Sequence, residues 1–458
     1  MRLVRIMEKH GMPLVLLLVG IAGGIFLAGR WVPSVSAVSR QDYESLEVFT
    51  NILSIVKKNY VEEVDTKNLV NGAINGMLNG LDPHSAYLTP DLYKELQMDT
   101  QGRFGGLGIE ITVKGGILTV VSPIEDTPAA KAGVKPGDQI FKIEEEFTKD
   151  MTLVDAVKKM RGPKGTKITI SIKREGVPEL MDFTLVRDTI RVQAVRSRTL
   201  EEGYGYVRLA QFQERSDRDV QRALEKMAAE KSGIKGLVLD LRNNPGGLLT
   251  QAVRVADLFL DSGLIVYTEG RIESQKQKYS AQKEGSWMDF PIVVLVNGGS
   301  ASASEIVAGA LQDHKRAVVL GTKTFGKGSV QTILPLDDNS ALRLTTARYF
   351  TPKGRSIQAL GIVPDIIIEP PTTPPAEGKA EEKKRLGLRE ENLPGHLSNP
   401  QQAPSQPQDQ SEKDKEKLVP RTAPTGDETI DNDAQLKRAL DLLKSWDVFK
   451  QLVQKKAA

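Results

Sequence analysis

At 458 residues the chain exceeds the size at which one hydrophobic core keeps growing, so two or more folded units are expected. Lysine and arginine number 62 against 59 for aspartate and glutamate, too even a balance for a nucleic-acid surface, and the apolar fraction of 40% is that of a soluble globular protein. Cysteine is absent and His10, His84, His314 and His396 lack ligand spacing, which argues against disulfides, thiol nucleophiles and a metal centre.

In chain order, Arg2, Arg5 and Lys9 precede an apolar run over residues 12–28, and Val35-Ser36-Ala37 offers small residues suited to signal-peptidase cleavage. Residues 1–38 are therefore expected to direct export to the periplasm or cell envelope. They serve either as a cleaved signal peptide or, if uncleaved, as an inner-membrane anchor. Residues 39–100 read as an N-terminal helical region, with Leu46, Phe49, Leu53 and Val56 at three- and four-residue spacing. The turn Leu81-Asp82-Pro83-His84-Ser85 interrupts it.

Residues 101–188 change texture to short β-branched runs between glycines. In Phe104-Gly105-Gly106-Leu107-Gly108-Ile109 a glycine-rich turn ahead of a strand can turn backbone amides toward a carboxylate, while the strand edge takes up an extended peptide. Leu107, Gly108 and Ile109 are the candidate peptide-binding residues. The downstream run Pro128-Ala129-Ala130-Lys131-Ala132-Gly133-Val134-Lys135-Pro136-Gly137-Asp138-Gln139-Ile140 resembles the PDZ family. A helix over residues 153–160 and a strand over residues 168–173 would complete its groove, whose apolar lining implies apolar C-terminal tails as ligands.

From residue 189 to 370, apolar strands at residues 236–241 and 292–296 alternate with helices beginning near Leu248 and Ser302, the pattern of an α/β core whose strands are covered on both faces. Residues 371–431 are rich in Pro, Gln and charge and read as a disordered linker. Leu436, Leu440, Leu443, Trp446, Phe449 and Leu452 then give residues 432–458 an amphipathic C-terminal helix, expected to dock on the core rather than on a partner.

Two loops of the core carry chemistry. Asn297-Gly298-Gly299-Ser300-Ala301-Ser302-Ala303-Ser304-Glu305 joins a buried strand to a helix, where small residues permit a sharp turn and helix N-terminal amides lie close to a hydroxyl. Ser302 with Glu305 also fits a helix capping box that needs no catalysis. In Gly326-Lys327-Gly328-Ser329-Val330-Gln331 the glycines allow close backbone approach, and burial could lower the lysine amine enough to activate a serine. Residues 321–327 match the first seven positions of a phosphate-binding loop, but Gly328 stands where a magnesium-binding hydroxyl is needed and a strand follows, so nucleotide binding is rejected. A histidine base is disfavoured. On a helix His314 would sit roughly 18 Å from Ser302, and His84 lies in a turn with its own local bonds.

These motifs, together with Asp240-Leu241-Arg242-Asn243-Asn244-Pro245-Gly246-Gly247, resemble the carboxyl-terminal processing (tail-specific) proteases over roughly residues 43–369. The resemblance implies a multi-domain α/β protein: a protease core of repeated β-β-α-type units, an inserted PDZ domain and an N-terminal helical segment. It implies Ser302 as nucleophile, Lys327 as general base and Gln331 as third member, on one strand face with the lysine by their even spacing. The oxyanion hole would combine the amide of Ala303 with that of Gly246 or Gly247, both of which fit. The PDZ domain would gate the site, with Arg161 as the candidate coupling residue. Protein substrates with apolar C-termini are implied, and an adaptor or activator and a homo-oligomer are open partners; neither metal nor organic cofactor is called for. The competing reading is a non-catalytic tail-binding or scaffold protein on the same fold.

Overall fold

The computed structural model describes residues 40–369, 389–401 and 432–457. The segment expected to govern export lies outside them, and among the described residues no helix is long and apolar enough to cross a membrane. The chain divides into two units, Met1–Ala73 and Ile74–Ala458. In the first, α1 (Arg40–Asn59) buries none of its residues, and Leu46, Phe49 and Ile52 stand exposed along it. Helix α2 (Thr66–Asn79) follows and runs across the division.

In the second unit, β1 (Ala86–Leu88) and α3 (Pro90–Gln101) lead into a β-rich module. Its elements are β2 (Arg103–Gly106), β3 (Ile109–Lys114), β4 (Ile117–Pro123), α4 (Pro128–Lys131), β5 (Gln139–Ile143), β6 (Glu146–Phe147), α5 (Leu153–Met160), β7 (Lys167–Lys173), β8 (Met181–Val186) and β9 (Asp188–Arg191). The sheet runs β3-β4-β5-β7-β8 with β6 on β5, and β2 pairs with β9. Alternate residues of β7, Ile168, Ile170 and Ile172, turn inward with Val120, Ala156 and Ile140 and Ile143 of β5, where a register shift between Ile140 and Lys142 brings both isoleucines to the core. Thr152 and Asp155 close a reciprocal capping box at the start of α5.

The remaining elements are β10 (Val195–Glu201), β11 (Tyr204–Leu209), α6 (Ser216–Ala228), β12 (Gly236–Asp240), α7 (Leu249–Asp257), β13 (Leu264–Gly270), β14 (Gln277–Ser280), β15 (Ile292–Val296), α8 (Ala303–Asp313), β16 (Ala317–Gly321), β17 (Ser329–Pro335), β18 (Ala341–Phe350), β19 (Ile366–Ile367) and α9 (Ala434–Ala457). The central sheet runs β10-β11-β12-β15-β16-β19, parallel from β11 onward. Its middle strands β12 and β15 are near-continuous apolar runs because both of their faces are covered. Leu237, Leu239, Ile292 and Val294 join one core with α6, α7 and α8. Val238, Val293 and Leu295 join another with Leu436, Ala439, Leu440 and Leu443 of α9. A second sheet runs β1-β18-β13-β14 with β17 on β18.

One expectation is corrected. Within the stretch read as disordered linker, residues 389–401 pack on the core, with Glu390 and Asn399 buried. Composition misled because this segment is held by polar side chains, Gln358 to Glu390 and Asn399 to Gln358, rather than by apolar burial. The rest of that linker lies outside the described residues.

Candidate active site

Parallel strands end together, so the loops leaving β12, β15 and β16 meet at one edge of the sheet. Buried polar side chains stitch them. Asn297 Nδ2 donates to Asn243 Oδ1 at 2.8 Å, Ser300 Oγ donates to the Leu241 carbonyl at 2.8 Å, and Ser304 Oγ donates to the Asn244 carbonyl at 2.9 Å. Phe325 N–H reaches the Ser300 carbonyl at 3.0 Å, tying in the third loop. Just before the first loop, the buried Arg242 guanidinium binds Asp240 at 2.7 Å and Asp433 at 2.7 Å, which anchors the start of α9 to this edge.

Ser302 immediately precedes α8 with φ +53°, a left-handed conformation costly for a residue with a Cβ. Its side chain is half-buried and shares a hydrogen bond with the Tyr349 hydroxyl, whose pKa burial pushes up. Gly246 must be glycine here: a Cβ on it would lie 2.8 Å from Ser302 Cβ and 3.0 Å from Ala303 N. The Gly246 N–H already donates to Asn244 Oδ1 at 2.9 Å. Neither the Gly247 N–H nor the Ala303 N–H has a partner among the described residues.

The carboxylate of Glu305, wholly buried, joins the serine and lysine loops. Oε2 accepts from Ser302 N–H at 2.8 Å and from Lys327 N–H at 2.9 Å, so the two nitrogens are no farther apart than the sum of those lengths. Oε1 accepts from Thr324 Oγ1 at 2.5 Å and Gly326 N–H at 2.7 Å. Burial pushes the carboxyl up to about 7 against the pull of these four donors. Half of the expected capping box is thus real, but the same side chain also holds the lysine loop.

The Lys327 amine is held below its ordinary value, first by burial and then by the positive charge of Arg343, against the opposing charges of Glu390, Asp82 and Glu305. Gln331 lies on β17, where its Nε2 donates to Thr345 Oγ1 at 2.8 Å and Thr345 Oγ1 donates to Asp82 Oδ1 at 3.0 Å. That relay fixes the amide's orientation and leaves Gln331 Oε1 buried without a partner among the described residues. The alternation argument for placing Gln331 beside Lys327 does not hold: β17 starts at Ser329, and its ladder with β18 slips between Val330 and Gln331. The relay from Asp82 through Thr345 sets the residue instead.

The other expected residues lie elsewhere. Leu107 is in the core of the β-rich module with its carbonyl taken by Ala129 N–H at 3.0 Å. Gly108, at φ +76°, presses against Thr127, and Ile109 opens β3. Arg161 stacks over the Phe104 ring and pairs with Glu95 of α3 at 3.6 Å, not with Ser302, Lys327 or Gln331. His84 binds Glu390 at 2.8 Å and His314 binds the Leu264 carbonyl at 2.7 Å. Asp82, Glu305, Thr324, Thr345 and Tyr349 were not singled out from sequence as site residues. The quoted motifs containing Asp82 and Glu305 were the available signal.

Three family models match the chain: peptidase family S41 over residues 203–368, a PDZ domain over residues 105–185, and the N-terminal domain of the activating protease CtpB over residues 27–91. A carboxy-terminal-processing protease of Bartonella bacilliformis is 47% identical over 386 residues, covering 83% of this chain and 88% of its own. The carboxy-terminal processing protease CtpA of Bacillus subtilis is 39% identical over 317 residues, covering 69% and 67%. Among solved structures, the photosystem II D1 C-terminal processing protease aligns at 32% identity with a TM-score of 0.42, covering 72% of this chain and 94% of that one.

Proposed function

Since the chain belongs to the carboxy-terminal processing proteases of peptidase family S41 and carries a PDZ domain, we propose that it cleaves by acyl transfer to Ser302 with Lys327 as general base. The observation that carries this reading is the single Glu305 oxygen bonded to the backbone N–H of both residues. Lowered by burial, the neutral Lys327 amine takes the proton of Ser302 Oγ as the oxygen attacks the scissile carbonyl. Gln331 Oε1, with no other partner among the described residues, accepts an amine hydrogen and aims the nitrogen lone pair at the serine. The amides of Ala303 and Gly247 receive the oxyanion, Gly247 in preference to Gly246 because the latter's N–H is committed to Asn244. Lys327 then protonates the leaving amine, and water releases the acyl group. Tyr349 yields its bond to Ser302 when the lysine engages.

Tails dock along β3, their carboxylate against the turn at residues 107–109. Partly exposed Ile109, Ile111, Leu153 and Val157 favour apolar tail residues. The basic and apolar N-terminal segment supports export to the periplasm or cell envelope. The CtpB-like N-terminal match supports an activator relationship, and the uncovered face of α1 supports self-association.

The test incubates the purified full chain with an unfolded protein ending in an apolar tail, with and without a tail peptide in trans. Wild type should release fragments and Lys327→Ala should release none while binding the tail peptide equally well. Full cleavage by Lys327→Ala would overturn the assignment, and tail binding without cleavage by wild type would favour the scaffold reading.

A further inference from the structure

The segment at residues 389–401 lies beyond the S41 match, and its contacts converge on one place. Glu390 N–H donates to the Phe325 carbonyl at 3.1 Å, two residues before the lysine. The Glu390 carboxylate accepts from Gln358 Nε2 at 2.8 Å, and Gln358 Oε1 in turn accepts from Gly328 N–H at 3.0 Å, one residue after the lysine. The same carboxylate takes His84 Nε2 at 2.8 and 3.0 Å, which reaches the turn that carries Asp82. Leu397 and Asn399 complete the hold through Gln358 Nε2 and the Gln358 carbonyl, at 3.0 and 2.7 Å. Both shoulders of the Lys327 loop and the far end of the Gln331 relay thus lead to one buried residue, Glu390, through its backbone N–H on one side and through its carboxylate, by way of Gln358 and His84, on the other.

We propose that residues 389–401 form a clasp that sets the Lys327 loop, with Glu390 as a positioning residue for the base. The inference rests on Lys327 being that base. Glu390 has two actions, one mechanical and one electrostatic. Its hydrogen bonds hold the backbone on either side of Lys327. Its charge, with those of Asp82 and Glu305, stabilises the ammonium against burial and against Arg343. Burial pushes the Glu390 carboxyl up, but the hydrogen bonds from His84 and Gln358, and then the charge of Lys327, hold it below the ordinary range.

Two measurements on the full chain separate these actions without relying on cleavage. In the first, limiting acetic anhydride labels amines across a pH series and mass spectrometry of the Lys327 peptide gives the midpoint of its reactivity. Glu390→Gln keeps the side chain's size and removes its charge. Its midpoint should fall by roughly half a pH unit or more, about a threefold rise in neutral amine at a fixed pH below the midpoint. In the second, Glu390→Ala should raise amide hydrogen exchange at residues 325–328 by about tenfold, the scale expected when buried hydrogen bonds worth somewhat over 1 kcal/mol are removed. Exchange in β7 should stay unchanged. If Glu390→Ala does not fold, the acetylation midpoint of Glu390→Gln decides alone. An unmoved midpoint in Glu390→Gln, or wild-type exchange at residues 325–328 in a folded Glu390→Ala, overturns the clasp. Retained cleavage by Lys327→Ala sinks the base assignment, whereas an unmoved midpoint alongside an inactive Lys327→Ala sinks the clasp alone.

Discussion

The loop that presents Ser302 and the turn at residues 107–109 are both bends that lead into regular structure, yet they are fastened by different means. Around Ser302 the fasteners are buried or half-buried side chains, Asn243, Asn244, Asn297, Ser300, Ser304 and Glu305, which bond across from one segment to another. Around residues 107–109 the fasteners are mainly backbone, with Ala129 N–H on the Leu107 carbonyl and Ile124 N–H on the Gly108 carbonyl, joined by Thr127 Oγ1. Chemistry requires atoms held to a fraction of an ångström, which a network of mutually bonded side chains supplies. A turn that accepts different tails needs only N–H groups left open and a strand edge beside them.

If the contrast is sound, damage to the two regions should separate in kinetics. The largest effect is expected for Lys327→Ala, a loss in kcat on the order of 10²–10⁴-fold with tail-peptide affinity unchanged, measured by cleavage and by titration. Next comes Glu305→Gln, because an amide offers one acceptor oxygen and sets its own N–H groups against those of two neighbours. It should lower unfolding free energy by about 1–3 kcal/mol and cut activity at least about tenfold, read by denaturant titration and initial rates. A variant with wild-type stability and rate would dissolve the distinction.

The pH dependence sharpens it further. As pH rises Lys327 loses its proton, so cleavage should climb, with a midpoint below that of an ordinary lysine because burial disfavours the ammonium. Glu305, pushed up to about 7, adds a second loss below that pH as the acceptor for four donors becomes protonated. Rates followed from pH 6 to 10 should therefore fall toward acid, and a flat profile would point to another base. The smallest effect is expected for Ile111→Ser in the tail groove: KM up by a few-fold for an apolar-tailed substrate and kcat unaltered, the signature of lost uniform binding.

Much of the sheet and helix pattern was legible because it obeys local rules. Apolar runs at residues 236–240 and 292–296 became strands buried on both faces, and the helix expected over residues 153–160 became α5. Ser302 and Lys327 stood out by their small and glycine neighbours. What stayed hidden is what depends on long-range pairing. Thr345 meets Asp82 across 263 positions, and no spacing rule connects them. Glu305 could be read only as a helix cap, since its second set of donors comes from the loop after β16. The clasp at residues 389–401 escaped because composition gauges apolar burial, and Glu390 is held by hydrogen bonds.

The bond from Arg242 to Asp433 limits where the chain can be shortened. Asp433 stands 191 positions after Arg242, so a chain cut ahead of it would leave the guanidinium to Asp240 alone, with its other donors open to solvent. The same cut would take away Leu436, Leu440 and Leu443, which cover the second face of the sheet. The edge that carries the catalytic loops is thus completed by a segment far removed from them in sequence, and shortening the chain ahead of Asp433 should loosen that edge even with every catalytic side chain retained.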